Sequence, residues 1–492
     1  MPDAPGSVWA ARNESDSDHH TAATVTITSV ARPAPIDMAH HPHLSGLFAP
    51  QREEVDVRGL EVAGELPADL HGSYLRNGPN PRFDPIGSYV YPLDGDAMVH
   101  RIELDGGTAC YTNRFVRTPQ VVAEEEAGRA LWSGLTDPYF PPAEEVGPDL
   151  ANTFRDLPDI NVVRHRGRLL ALAEAAPAYA LGPDLGTLGR ESFGGAAPVA
   201  LTAHPKIDPH TGEMVSFCYS FESPYLTWSV IGADGTVTRG PTPVEGTDRA
   251  LMIHDMALTQ RCIVLVLAPL VFDLGEIFSG GSPLRWQPDL GVRIALIPRD
   301  GSAVRWHTTD AFWMWHTANA FDLPDGSVAL DYVEWRYPGG FTETREPNAS
   351  ALRRAVIGDG GVTRTTLHER AIEFPRVDDR LVTGEHRVVA TVGSTGTQAL
   401  PAGDADALFW FDVTAGSETE WRAPGFGVGE PSYLPSSAGG PGYWGAVATD
   451  RADLTSWFLV FPAEDPASGP RARVRLPIRV PAGLHGAWLP AG

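Results

Sequence analysis

Residues 98–116 read MVHRIELDGGTACYTNRFV. Two runs rich in apolar and β-branched residues flank an Asp-Gly-Gly turn, the pattern of a β-hairpin. The same unit returns along the chain. NVVRH and RLLALAE (161–165 and 168–174) are joined by Arg-Gly, WSVIG and TVTRG (228–232 and 236–240) by Ala-Asp-Gly, and RIALIPR and SAVRW (293–299 and 302–306) by Asp-Gly. The strands SVALDYVEW (327–335), ALFWFDV (407–413) and SWFLVF (456–461) continue the series. The chain holds 51 glycines and 44 prolines, which suits many turns and few helices. EEEAGRALWSG (124–134) is the best helical stretch.

Many short strands at even spacing predict a closed all-β architecture. A β-propeller fits because radial repetition leaves only short, protected strand edges. Seven four-stranded blades of about 60 residues each would use most of the chain, and no WD or kelch signature marks them. Residues 1–42, rich in Ser, Asp, Ala, Thr and Pro, read as a disordered tail, and residues 43–492 as a single propeller domain.

Composition narrows the function. Hydrophobic residues make up 42% of the 492 residues, ample for a packed core. The formal net charge of −24 argues against a nucleic-acid partner, which would need basic surface. Cys110, Cys218 and Cys262 are far apart, odd in number and in no CxxC pattern, so they read as reduced thiols of a cytoplasmic protein. No apolar run of about 18 residues predicts a transmembrane helix. The N-terminus lacks the basic and apolar regions of a signal peptide.

The histidines carry the chemistry. Of 16, His19, His20, His40, His41, His43, His210 and His386 lie in tail-like or surface-like contexts. His316 does not: it sits in FWMWHTANAFD (312–322), where burying an unpaired polar ring would cost on the order of 1–3 kcal/mol. Alone, such a histidine is satisfied by a backbone carbonyl. His204 in LTAHPKIDP, His254 in LMIHDMALT and His485 in GLHGAWLP share its apolar or small neighbours and its place beside a strand. The gaps are 50, 62 and 169 residues: about one, one and three blade lengths. That spacing is compatible with four imidazoles meeting near a propeller axis. Four neutral imidazoles suit Fe(II), Cu, Zn or Ni and disfavour Mg and Ca. Carboxylates should then receive the other ring N–H groups. Glu174 in LLALAEAAP, Glu373 in AIEFPR and Glu430 in GVGEPSYLP are the candidates. Each alone reads as a solvated or ion-paired residue; with the histidines they form a set.

These segments resemble the carotenoid cleavage oxygenase family from about residue 43 to residue 490. LRNGPNP (75–81) and LDGDAMVH (93–100) resemble its N-terminal signature, and VRLPIRVPAGLHGAWLP (474–490) its C-terminal one. The four histidine segments and RLLALAE, EFPR and GEPSYLP resemble its ligand and glutamate segments, in order. LSGLFAP and the wording around GDAMVH look most like the bacterial carotenoid-cleaving branch. The resemblance implies a seven-bladed propeller with a helical and loop dome over the iron-bearing face. It implies non-haem Fe(II) held by His204, His254, His316 and His485, with Glu174, Glu373 and Glu430 orienting three of them. It also implies cleavage of a conjugated C=C bond of a carotenoid or apocarotenoid by O₂, giving two carbonyl products. No separate acid–base residue is expected. YVYPLDGD (89–96), where an HWFDGD-like version is common, and SSAGGPGYW (436–444), which lacks the usual paired acids, depart from the family pattern. Neither change touches a proposed ligand, so they bear on substrate identity.

Other functions are weighed against this one. The family's stilbene-cleaving branch engages the substrate phenol with a tyrosine and a lysine. The only lysine here, Lys206, belongs to the His204 segment, which counts against that option. Retinyl-ester isomerase activity fits bacterial-branch wording poorly. A non-catalytic lipid-binding propeller would not need the full set of four histidines and three glutamates. Finally, LAPLVFDLGEIFSGG (267–281) reads either as a core strand with its loop or as an apolar tunnel mouth touching a membrane surface. The acidic net charge leaves only a hydrophobic, peripheral contact.

Overall fold

The computed structural model describes residues 31–195, 200–273, 282–339 and 348–491. The chain forms a seven-bladed β-propeller. The opening hairpin is real: Met98–Asp105 pairs antiparallel with Thr108–Phe115, with Asp105 opposite Thr108 across the Gly106-Gly107 turn. Both glycines have positive φ (54° and 90°), the backbone that lets so short a turn close. Five further four-stranded meanders begin at Asn161, Lys206, Met256, Trp313 and Ile372, each running outward from its first strand.

Two pairings close the ring by joining the ends of the chain. Gly486–Pro490 pairs with His71–Arg76 inside the sheet that holds the opening hairpin. Val62–Gly64 pairs with Ala472–Arg475 on the outer edge of the last blade. Neighbouring blades bury apolar faces against each other. One such layer sets Val264, Val266, Ile294 and Leu296 against Leu330, Tyr332 and Ile357 of the next blade. Full burial of each such side chain contributes about 1.5–3 kcal/mol, so the inner strands are held rigidly.

The helix differs from the sequence expectation of 124–134. It spans Pro119–Ala127, because Thr118 caps its N-terminus by accepting the Val121 N–H and Gly128 ends it in the left-handed conformation. It belongs to the connection from Val116 to Ile160, which is tied to the segment before the hairpin through Arg155–Asp96 and Leu135 N–H to Asp94 (2.9 Å). Asp94, Asp96, Glu124 and Asp159 are all buried there around the single guanidinium of Arg155.

Other expectations also shift. The packed body begins before residue 43: Pro35 bridges Ile86, Ile36 N–H donates to Pro85 O (2.9 Å), and Gly87 N–H to Ala34 O. Residues 1–30 lie outside the described residues. His386, expected at the surface, is buried with its Nε2 2.9 Å from Asp331. Its hydrophilic sequence neighbours Glu385 and Arg387 gave the surface signal. All three cysteines are free; Cys262 is buried and the other two are half-buried. In the 267–281 stretch, Leu267, Ala268 and Leu270 are core residues; residues 274–281 lie outside the described residues. No described helix is long and apolar enough to cross a membrane.

Candidate metal centre

Each of the four histidines lies at or just before an innermost strand. His204 precedes Lys206–Ile207, His254 precedes Met256–Leu258, and His485 precedes Gly486–Pro490. His316 lies within Trp313–Asp322, and a bulge places it: Met314 pairs with Glu334 and Thr317 with Tyr332, so Trp315 and His316 share the space opposite Val333. The extra residue breaks the alternation of the strand and re-aims the side chain.

The four rings converge. Ring centroids lie 4.5–5.3 Å apart for the pairs involving His204. Nε2 of His254 is 3.2 Å from Nε2 of both His204 and His316, and Nε2 of His316 is 3.1 Å from that of His485. One ligand atom from each of the four lies within 4.8 Å of the others.

Three glutamates fix the tautomers. His254 Nδ1 donates to Glu174 Oε1. His316 Nδ1 donates to Glu373 Oε2 at 2.6 Å, and His485 Nδ1 to Glu430 Oε1 at 2.9 Å. With the proton on Nδ1, each of these rings presents a bare lone pair at Nε2. Lone pairs facing one another at these distances repel unless a cation lies between them. The donor set therefore fits a metal ion, and neutral nitrogen donors fit a transition metal. Among the described residues no carboxylate bonds Nδ1 of His204.

Electrostatics supports neutral ligands at two positions. Burial, reinforced by the other three rings, holds His204 well below the ordinary histidine pKa. Burial brings His485 down to about 4, although Glu430 opposes it. At His254 burial also lowers the pKa, but the Glu174 charge outweighs it and the net shift is upward. Burial raises Glu430, yet the charge of Arg376, and then His485, brings it to about 2. The ionised form of Glu430 is thus the favoured one.

A further layer was not read from the sequence. Tyr219 donates its hydroxyl to Glu174 Oε2 (2.7 Å); burial and the adjacent carboxylate hold its pKa well above the ordinary value, so it stays a donor. Trp335 Nε1–H donates to Glu373 Oε1 (2.5 Å). Arg376 donates to Glu430 Oε2 (3.1 Å) and to Gly486 O (2.8 Å). Only Arg376 had a local signal, in EFPR; the tyrosine and tryptophan come from other strands. Phe374 stacks on the His316 ring (centroids 5.1 Å, 27°) from a left-handed backbone, φ 52°, inside a bulge between Glu373 and Arg376. Such strain in a non-glycine residue costs of order 1–3 kcal/mol and gathers at functional sites. Trp315 presents its edge-on contact to His254 (5.0 Å), while Trp313 is buried. Trp315 and Phe374 therefore touch ligand rings directly, and Trp313 packs behind Trp315.

A seven-bladed propeller with four imidazoles meeting among its inner strands, three of them braced by carboxylates, is the architecture expected of the carotenoid cleavage oxygenases. The family model described as retinal pigment epithelial membrane protein matches residues 48–490, and the chain belongs to that family. It is an oxygenase. A carotenoid cleavage oxygenase of Mycobacterium tuberculosis is 32% identical, over 92% of this chain and 98% of the relative. Resveratrol cleavage oxygenase 1 of Chaetomium globosum is 30% identical, over 95% and 91%. The crystal structure of Pseudomonas brassicacearum lignostilbene dioxygenase superposes with a TM-score of 0.82 at 30% identity, covering 92% of this chain and 99% of that one.

Proposed function

We propose that the protein is a non-haem Fe(II) dioxygenase that cleaves a conjugated C=C bond of a carotenoid or apocarotenoid with O₂ to give two carbonyl products. The observation that carries this reading is the convergence of His204, His254, His316 and His485 through Nε2, with Glu174, Glu373 and Glu430 holding the opposite ring protons. Bound there, Fe(II) would supply the activation of O₂. The chain's own part is positional. The glutamates keep the Nδ1 protons, so the Nε2 atoms stay free to ligate. Phe374 and Trp315 pack against ligand rings and keep water from them, which suits a polyene and protects reactive species. Placing one double bond beside the metal is then the main source of rate.

Cleavage of a hydroxystilbene is the second reading, favoured by similarity to the lignostilbene and resveratrol enzymes. Against it, Lys206 is committed to an ion pair with Asp255 (2.8 Å) and cannot serve a phenol. The deciding experiment is aerobic incubation of the Fe(II)-loaded protein with carotenoids, apocarotenals and hydroxystilbenes, with carbonyl products identified by mass. Aldehydes from stilbenes alone would replace the first reading with the second. A peripheral membrane contact through residues 267–281, of which 274–281 lie outside the described residues, completes the proposal. Sedimentation with neutral vesicles should fall when Ile277 and Phe278 are both changed to Ser, and equal sedimentation would remove that contact.

A further inference from the structure

We infer that Arg376 sets the charge of the metal centre to match a divalent ion. The inference rests on the metal site proposed above and concerns its charge rather than its substrate. The three glutamates that brace the ligands are not equivalent. Glu174 and Glu373 receive their outer hydrogen bonds from neutral groups, the Tyr219 hydroxyl and the Trp335 indole. Among the described residues, Glu430 is the one of the three for which a cation is seen, the Arg376 guanidinium at 3.1 Å. Glu430 is nearly completely buried, and Arg376 is largely so, with its side chain 20% exposed.

The charges then balance. Four imidazoles are neutral. A divalent ion brings two positive charges, the glutamates bring three negative ones, and Arg376 supplies the third positive charge. A net charge in a buried site is costly, because little solvent is present to compensate it. Other charges adjoin the site without bonding the three carboxylates. Lys206 and Asp255 neutralise each other. Asp379, the other partner of Arg376, is 57% exposed and screened by solvent. Arg76, the next buried cation, donates to Gly483 O and bonds none of the three carboxylates.

Glu430 accepts from His485 Nδ1 at 2.9 Å as well as from Arg376. A carboxylate shared with an arginine and with the Gly486 N–H (2.8 Å) has less charge to offer its histidine. Arg376 is therefore a positioning residue that acts on the metal through Glu430 and His485. Without its charge the site carries a surplus negative charge with a divalent ion and is balanced by a trivalent one.

The test is a mediated potentiometric titration of the full chain loaded anaerobically with Fe(II). Chemical mediators carry the single electron between electrode and iron, and electron paramagnetic resonance reports Fe(III). In Arg376→Met the Fe(III)/Fe(II) ratio at a fixed potential should rise about tenfold, a midpoint about 59 mV lower. Arg376→Lys, which keeps the charge, should stay near wild type. Glu430→Gln should shift the ratio the other way, and the double variant should return toward wild type. Equal potentials in wild type and Arg376→Met, or Arg376→Lys behaving like Arg376→Met, would overturn the inference. If Arg376→Met does not fold, Glu430→Gln decides alone: an unshifted ratio overturns it. The shifts with no carbonyl product from any polyene would leave this inference standing and remove the proposed reaction. A wild-type chain that takes up no Fe(II) would remove both.

Discussion

Lys206, the only lysine in the chain, closes an ion pair of 2.8 Å with Asp255, the residue that follows His254. The same carboxylate accepts the backbone N–H and the hydroxyl of Thr317, the residue after His316, each at 2.8 Å. One buried side chain thus ties together the strands that carry three ligands. Asp255→Asn keeps the shape but leaves Lys206 without its charge partner, at a cost of about 3–5 kcal/mol. Thr317→Val loses only a hydroxyl donor, about 1 kcal/mol. Denaturant unfolding of the apoprotein checks both, and an equal loss in the two variants would show that the ion pair is not what holds the strands.

His316→Ala is expected to lower bound metal sharply in the purified protein, measured as metal per chain. Removing one of four nitrogens leaves three, and the His316 bulge places no other donor there. Metal content equal to wild type would take His316 out of the ligand set.

The architecture was legible because strands and turns are local. The hairpin at 98–116 needs only its own residues to be read. The four histidines were legible as a set because each sits beside an inner strand in apolar surroundings. What the sequence does not carry is pairing between distant strands. Which glutamate meets which histidine is fixed by blade geometry: Glu174 reaches His254 across 80 residues, Glu373 reaches His316 across 57. His386 fails for a related reason: its partner Asp331 lies on another blade, and its own neighbours are charged. In FWMWHTANAFD a strict alternation would put Trp315 and His316 on opposite faces; the bulge cancels that rule, and no residue type announces it.

Glu373 holds His316 with one oxygen and receives the Trp335 indole with the other, at 2.6 Å and 2.5 Å. Glu373→Gln removes the carboxylate that takes the His316 Nδ1 proton and fixes the ring, and metal affinity should fall roughly 10–100-fold. Trp335→Phe removes one neutral donor, worth about 1 kcal/mol, so affinity should change only about fivefold. Competition with a chelator for Co(II) measures both. A larger loss from Trp335→Phe than from Glu373→Gln would reverse the order of importance assigned to them.

Asp159 gives the protein a pH-dependent weakness outside the set of histidines and glutamates. It is buried, its Oδ2 has no hydrogen-bond partner, and Asp94 and Asp96 are near. Burial, and then those carboxylates, hold its pKa well above the ordinary carboxyl range. The native state therefore keeps a proton that the unfolded chain has already released. Its contribution to stability is present below the ordinary carboxyl pKa and is lost as pH rises toward the folded value, about 1.4 kcal/mol for each unit of separation. Asp159→Asn is neutral at every pH and removes that penalty. Thermal unfolding of variant and wild type should nearly coincide near pH 4 and separate as pH rises to 8, with the variant the more stable. A variant no more stable than wild type at pH 8 would mean that the Asp159 carboxyl finds a compensating partner in solution.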